Sequence, residues 1–150
     1  MPIGGAKPKP PGQAVTRHKQ VHDWNEVVDE PYDGPVPVKL PTKSVRVLPF
    51  GGAEEIPTHS ATKQWWRIVT RMPHCRLWTD ADWMFCLETA VVADRFFYGQ
   101  TAAAAELARR EKVLGTTVDA RRGLRIRYVA PKPATGEGAT VTRLDDYRDL

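Results

Sequence analysis

Between Trp83 and Tyr98 the chain reads WMFCLETAVVADRFFY, and twelve of these sixteen residues are apolar. The preceding TDAD, with Thr79 and Asp82 in Thr-x-x-Asp spacing, is the pattern of a capping box, and Asp80 and Asp82 suit the positive end of a helix. Gly99 stands where a C′ glycine ends one. The spacing therefore predicts a helix over 80–98 whose polar remainder, Glu88, Thr89, Asp94 and Arg95, is a narrow strip. A surface helix has one apolar stripe; this one wants cover nearly all round. Two other helices of the same chain can hardly supply it, whereas a neighbouring copy can. Trp83, Phe85, Leu87, Val91, Phe96 and Phe97 are the candidate contacts of a homo-oligomer, and a head-to-tail contact between different flanks closes into a ring.

The rest of the chain limits what can pack there. Ten of the thirteen prolines fall before residue 60, nine of them within KPKPPG, EPYDGPVPVKLP and PFGGAEEIP. Such breakers leave little room for regular structure. Residues 1–59 read as a flexible basic, Pro-rich arm and linker that orders against a partner or neighbouring subunit, with Trp24 and Tyr32 as anchors and SVRVLPF as a short strand. Residues 60–129 read as the α-helical core for oligomerisation and DNA binding. Residues 130–150 read as a flexible tail ending in TRLDDYRDL, a docking element for another protein. A core of about 70 residues buries only about 60% of its unfolded surface, a second pointer to oligomers. MPIGGAKPKPPG lacks the apolar stretch of a secretory signal and no run of about 18 apolar residues exists, so a soluble, cytoplasmic protein is expected, with no membrane partner. Cys75 and Cys86 are too few for a disulfide framework and read as reduced thiols.

Within the core, SATKQWWRIVTRM sets Trp65, Trp66, Val69 and Met72 at helical spacing, with Lys63, Arg67 and Arg71 as a basic stripe on the other face, and Pro73 stops it. TAAAAELARREKVLG is a helix of strong propensity with Thr101 as cap, Leu107 and Leu114 inward, and Gly115 as terminator. TTVD repeats the capping pattern at Thr116 and Asp119. The segment from Ala120 to Tyr128 has two readings. As a helix it stacks Ala120, Leu124 and Tyr128; as a strand it alternates Leu124, Ile126 and Tyr128 with Arg125 and Arg127. The cap favours the helix, although Gly123 weakens it by roughly 1 kcal/mol. The fold class is mainly α: a helical core with a helix-turn-helix-like pair, a Pro-rich N-terminal arm and a C-terminal tail.

Chemistry of the catalytic kind finds little footing. Neither a Gly-x4-Gly-Lys-Ser/Thr loop nor Gly-x-Gly-x-x-Gly is present to cradle a nucleotide. His18, His22 and His74 lack the partners of a metal motif, and Asp80, Asp82, Glu88 and Asp94 are explained by capping and solvation. No catalytic residue, cofactor or metal is expected. The net charge is +4, but its distribution is uneven, and ARREKVLGTTVDARRGLRIRY carries seven arginines and lysines against two acids. Arg109, Arg110 and Lys112 precede its turn; Arg121, Arg122, Arg125 and Arg127 come after it. Two helices joined by a short Gly-containing turn describe a helix-turn-helix that grips DNA. They equally describe a solvated helical face paired with Glu106, Glu111 and Asp119. Lys7, Lys9, Arg17 and Lys19, beside His18, suit either phosphate contacts or a solubilising arm.

WWRIVTRMPHCRLWTDADW, LARREKVLGTTVDARRGLRIRY and TRHKQVHDW together resemble the small terminase subunits of tailed bacteriophages, especially those infecting actinobacteria. The most diagnostic part is the Leu114-Gly115-Thr116-Thr117 turn followed by Arg121, Leu124 and Arg125. Related chains carry Leu-Gly-Leu-Thr-Pro there; Thr116-Thr117-Val118 is a departure. The resemblance implies a non-catalytic ring in the host cytoplasm that binds double-stranded viral DNA and presents it to the large terminase subunit, the ATPase and nuclease. The same region would also serve a helix-turn-helix transcription regulator, which would normally be a dimer. A nuclease accessory with its own acidic site is a third reading.

Overall fold

The computed structural model describes residues 23–132. The arm cations Lys7, Lys9, Arg17 and Lys19 and the tail element TRLDDYRDL therefore lie outside the described residues. The first elements are strands: β1 (Asn25–Val28), β2 (Lys43–Val47) and β3 (Ala53–Pro57). Four helices come next, α1 (Ser60–Val69), α2 (Asp80–Phe97), α3 (Ala104–Leu114) and the short α4 (Val118–Gly123), before a last strand, β4 (Ile126–Val129). Single 3-10 turns at Pro73–Leu77 and Thr101–Ala103 connect α1 to α2 and lead into α3.

The predicted helices are present because their local signals are strong. Pro73 closes the region after α1 by opening the 3-10 turn. At Thr79 the capping box forms, the backbone N–H and the hydroxyl both donating to Asp82 Oδ2 at 2.8 and 2.7 Å. Gly99 and Gly115 both take positive φ, 88° and 75°, as C-terminal glycines do. Two caps differ from expectation. Thr101 begins a 3-10 turn rather than capping α3, and Thr117, not Thr116, accepts from Ala120 N at 3.2 Å to cap α4.

The Pro-rich stretch holds more order than its composition suggests. β1 pairs in parallel with β4, Val27 opposite Tyr128, and β2 and β3 form an antiparallel hairpin. Prolines sit between these strands or at their ends, where no ladder N–H is required. Buried Thr58 closes the open end of the hairpin, its N–H donating to Thr42 O at 2.9 Å, and the Tyr98 hydroxyl at the end of α2 ties the hairpin to the helices by donating to Pro57 O. Tyr32, as expected of an anchor, lies against Trp83 with ring centroids 5.7 Å apart.

α2 runs through the centre and finds more cover inside its own chain than its composition implies. Trp83, Cys86, Ala90 and Ala93 are buried, Trp83 in an edge-on contact with Trp78 at 4.8 Å. Phe85, Leu87, Phe96 and Phe97 are half-buried, and of the large apolar α2 residues only Met84 and Val91 are exposed. Asp94, assigned by pattern to the polar strip, is also buried. Its Oδ1 accepts from His59 N at 2.8 Å and from Thr62 Oγ1 at 2.7 Å, so the end of α2 caps the start of α1. Asp94→Ala leaves both donors unmet in the interior, and should cost about 2–4 kcal/mol in urea unfolding against about 1 kcal/mol for Asp82→Ala at its exposed cap.

Candidate nucleic-acid interface

The basic stretch folds as helix, turn, short helix and strand. Gly115 reverses the chain in the left-handed conformation, where a Cβ would stand 3.2 Å from Leu124 Cδ1 and 3.3 Å from His74 Nε2. Both readings of the segment after it are partly right. α4 ends at Gly123, Arg125 adopts a left-handed φ of 57°, and the alternation of Ile126 and Tyr128 with Arg127 then runs as β4. A left-handed non-glycine residue costs roughly 1–2 kcal/mol. The strand pairing beyond it outweighs that cost, since Asn25 N donates to Arg125 O at 2.8 Å and the ladder begins there.

One buried imidazole locks the turn to the strand. A carbonyl can only accept, so at 2.8 Å His74 Nε2 carries the proton toward Leu114 O, and Nδ1 accepts from the Tyr128 hydroxyl at 2.6 Å. Arg121 completes the arrangement: its guanidinium lies 4.7 Å from the Tyr128 ring centroid and donates from Nη1 to Gly115 O and Thr116 O at 3.2 and 3.1 Å. Burial pushes the Tyr128 hydroxyl up, so it remains a donor, and burial first, with Arg121 adding to it, holds His74 below the ordinary histidine range.

This geometry sorts the seven cations into two sets. Arg110 Nε donates to Glu106 at 2.7 Å and Nη1 to Glu88 at 3.3 Å, with its guanidinium 5.0 Å from the Phe85 ring centroid. Arg109 pairs with Glu106 at 3.2 Å. The Arg110 hydrogen bond holds the Glu106 carboxyl below the usual carboxylate range. Arg127 pairs with Glu26 across the β1–β4 ladder, and Arg121 is held by the turn carbonyls. The side chains of Lys112, Arg122 and Arg125 have no hydrogen bond or ion pair among the described residues, and Lys112 and Arg122 are exposed. On α1, Lys63 and Arg67 are likewise exposed and unpaired among the described residues.

The remaining candidate chemistry dissolves into structure. Asp82 and Asp94 cap helices, and Glu88 pairs with Arg110. No group of three or more His, Cys, Asp or Glu among the described residues is placed to hold a metal. Cys75 and Cys86 are free buried thiols, both pushed up to about 12 by burial, which leaves them weak nucleophiles. No helix among the described residues is long and apolar enough to cross a membrane.

Across residues 4–150 the chain matches the family model described as phage terminase small subunit, and it belongs to that family. Membership connects it with phage DNA packaging, in a subunit class that is generally non-catalytic. No curated protein and no solved structure matches the chain.

Because His74 is held neutral by burial, its contribution to stability is fully present above about pH 6.5, the ordinary histidine value, and is lost as pH falls below it. The unfolded chain then binds the proton that the folded chain refuses. Urea midpoints should therefore fall from pH 7.5 to pH 5.5, and His74→Gln should flatten that slope while lowering stability at the higher pH.

Proposed function

We propose that the chain is a DNA-recognition subunit that binds double-stranded viral DNA and presents it to the large terminase subunit for packaging into the procapsid, itself performing no catalysis. The observation that carries this reading, beside family membership, is that Lys112, Arg122 and Arg125, without a partner among the described residues, stand around a turn that His74, Tyr128 and Arg121 fix in place. Fixed cations without internal partners suit phosphates. α4 spans six residues, fewer than two helical turns, so phosphate contact fits it better than deep insertion into a major groove. Arg109, Arg110, Arg121 and Arg127 then contribute field and scaffold rather than direct grip, and the arm cations Lys7, Lys9, Arg17 and Lys19 would add further contacts.

Duplex affinity should accordingly fall steeply with added salt. Arg122→Ala combined with Arg125→Gly, the glycine relieving the left-handed backbone, should lower the salt slope by roughly 2 per bound subunit, at about 0.9 per lost phosphate contact. It should also weaken binding more than Lys63→Ala with Arg67→Ala. Equal losses in the two pairs would move the interface to include α1, and an affinity indifferent to salt would remove the reading.

The assembly proposed is a closed ring. What supports it is the apolar surface left outside the core: Val45, Val47 and fully exposed Phe50 on the hairpin, with Met84 and Val91 on α2. A two-stranded hairpin carrying such a face is marginal by itself, and a neighbouring copy would cover it. Light scattering coupled to size exclusion on the full chain should report more than two subunits, and Phe50→Asp or Val91→Asp should lower that number. A dimer throughout would favour the transcription-regulator reading instead.

A further inference from the structure

Trp24, Val118, Arg121, Arg122, Ile126, Arg127 and Tyr128 line a recess of about 230 Å³ where β1 meets the end of the basic stretch. Trp24 is half-buried there, and it has neither a ring neighbour nor an acceptor for its indole N–H among the described residues. Other tryptophans are engaged: Trp78 and Trp83 pack edge to face, and Trp65 Nε1 donates to Glu111 at 2.8 Å. Glu26 neutralises one of the three arginines, Arg121 is turned inward, and Arg122, lining the same recess as the indole, stays exposed and unpaired among the described residues. Arg127 Nε is moreover a buried donor without a partner among the described residues. An indole with an idle face, next to an uncommitted guanidinium and within net positive charge, offers two kinds of contact at once.

We infer that this recess takes one unstacked nucleotide of single-stranded or frayed DNA, its base against Trp24 and its phosphate on Arg122. Paired bases within a duplex are stacked on each other and present no free face to an indole, whereas any unpaired base does, whatever its identity. An acidic peptide would use the arginines and leave the indole unused. The inference rests on the DNA-binding reading above, and adds to it a preference that phosphate contacts alone do not produce.

The test is fluorescence anisotropy with the full chain, titrating a labelled oligothymidine and a duplex of equal length, each about ten nucleotides, enough to span a single-strand site. Trp24→Leu should weaken the single strand about tenfold, in the range of one lost base–aromatic stack, and change duplex affinity less than twofold. Trp24→Phe, which keeps a ring, should restore single-strand binding but remove most of the tryptophan quenching that oligothymidine causes in the unaltered chain. That second readout decides the matter if Trp24→Leu fails to fold, because quenching that survives Trp24→Phe overturns the inference. So does duplex binding without single-strand binding, or an equal loss on both ligands in Trp24→Leu. If neither DNA binds, the inference falls together with the reading it rests on. If a TRLDDYRDL peptide binds instead, and Arg122→Gln abolishes that binding, the recess is a dock for acidic peptide and not for nucleotides.

Discussion

The position of the basic stretch depends on one buried imidazole. His74 stands on the 3-10 turn between α1 and α2, yet both its hydrogen bonds go elsewhere, to the last carbonyl of α3 and to the hydroxyl of β4. Without it, Leu114 O at the end of α3 and the Tyr128 hydroxyl would each be left to find a partner in an interior where an unmet polar group costs about 1–3 kcal/mol. Glycine at 115 is required by the same contact: a methyl there would press on Nε2 and would sit on a positive φ. The ring of Tyr128, fixed by His74, in turn carries Arg121, which holds the turn carbonyls. The turn is therefore fixed from inside, and its outer cations inherit that rigidity.

Local rules read well from sequence here, and long-range ones did not. The Thr79–Asp82 box and the Gly99 and Gly115 terminators are decided within four or five residues, so α2 and the end of α3 were legible. β1 was not legible, because its partner lies at the other end of the described chain, Glu26 meeting Arg127. Four-residue strands carry no periodic signal worth separating from loop, and proline density argued against them. The segment after Thr117 shows the conflict inside one stretch: the cap starts a helix, Gly123 weakens it, and strand pairing then takes the chain at the cost of a left-handed Arg125.

Charge was legible in amount but not in availability. Arginines separated by three or four residues from acids look alike in sequence, whether the pair is made or not. The fold decides through contacts such as Glu88 with Arg110, across two helices, and Glu26 with Arg127, across two strands. The burial of α2 was misjudged for a related reason. Periodicity counts apolar positions without knowing that Tyr32, Trp78 and the connection after α1 also lie against the helix, as Trp83 finds them. The two most exposed large apolar side chains, Phe50 and Val47, lie on the hairpin, in a part of the chain where composition had suggested an arm with one short strand.

These facts bear on how such a subunit can discriminate. A guanidinium already bound to a carboxylate must give up that partner before it reads a base edge, so Arg110 and Arg127 are poor candidates for direct readout. Lys112, Arg122 and Arg125 have no internal partner among the described residues, and any phosphate contact they made under the proposed function would be independent of sequence. If the chain binds DNA as proposed, specificity is most economically drawn from geometry: from how often the fixed turn would repeat around an assembly, and from where a strand would open to place a base on Trp24. Both depend on the deformability of the DNA rather than on its base edges, since the cost of bending or opening a duplex itself varies with sequence. A rigid turn is what makes such discrimination possible, because a mobile one would follow the DNA instead of obliging the DNA to follow it.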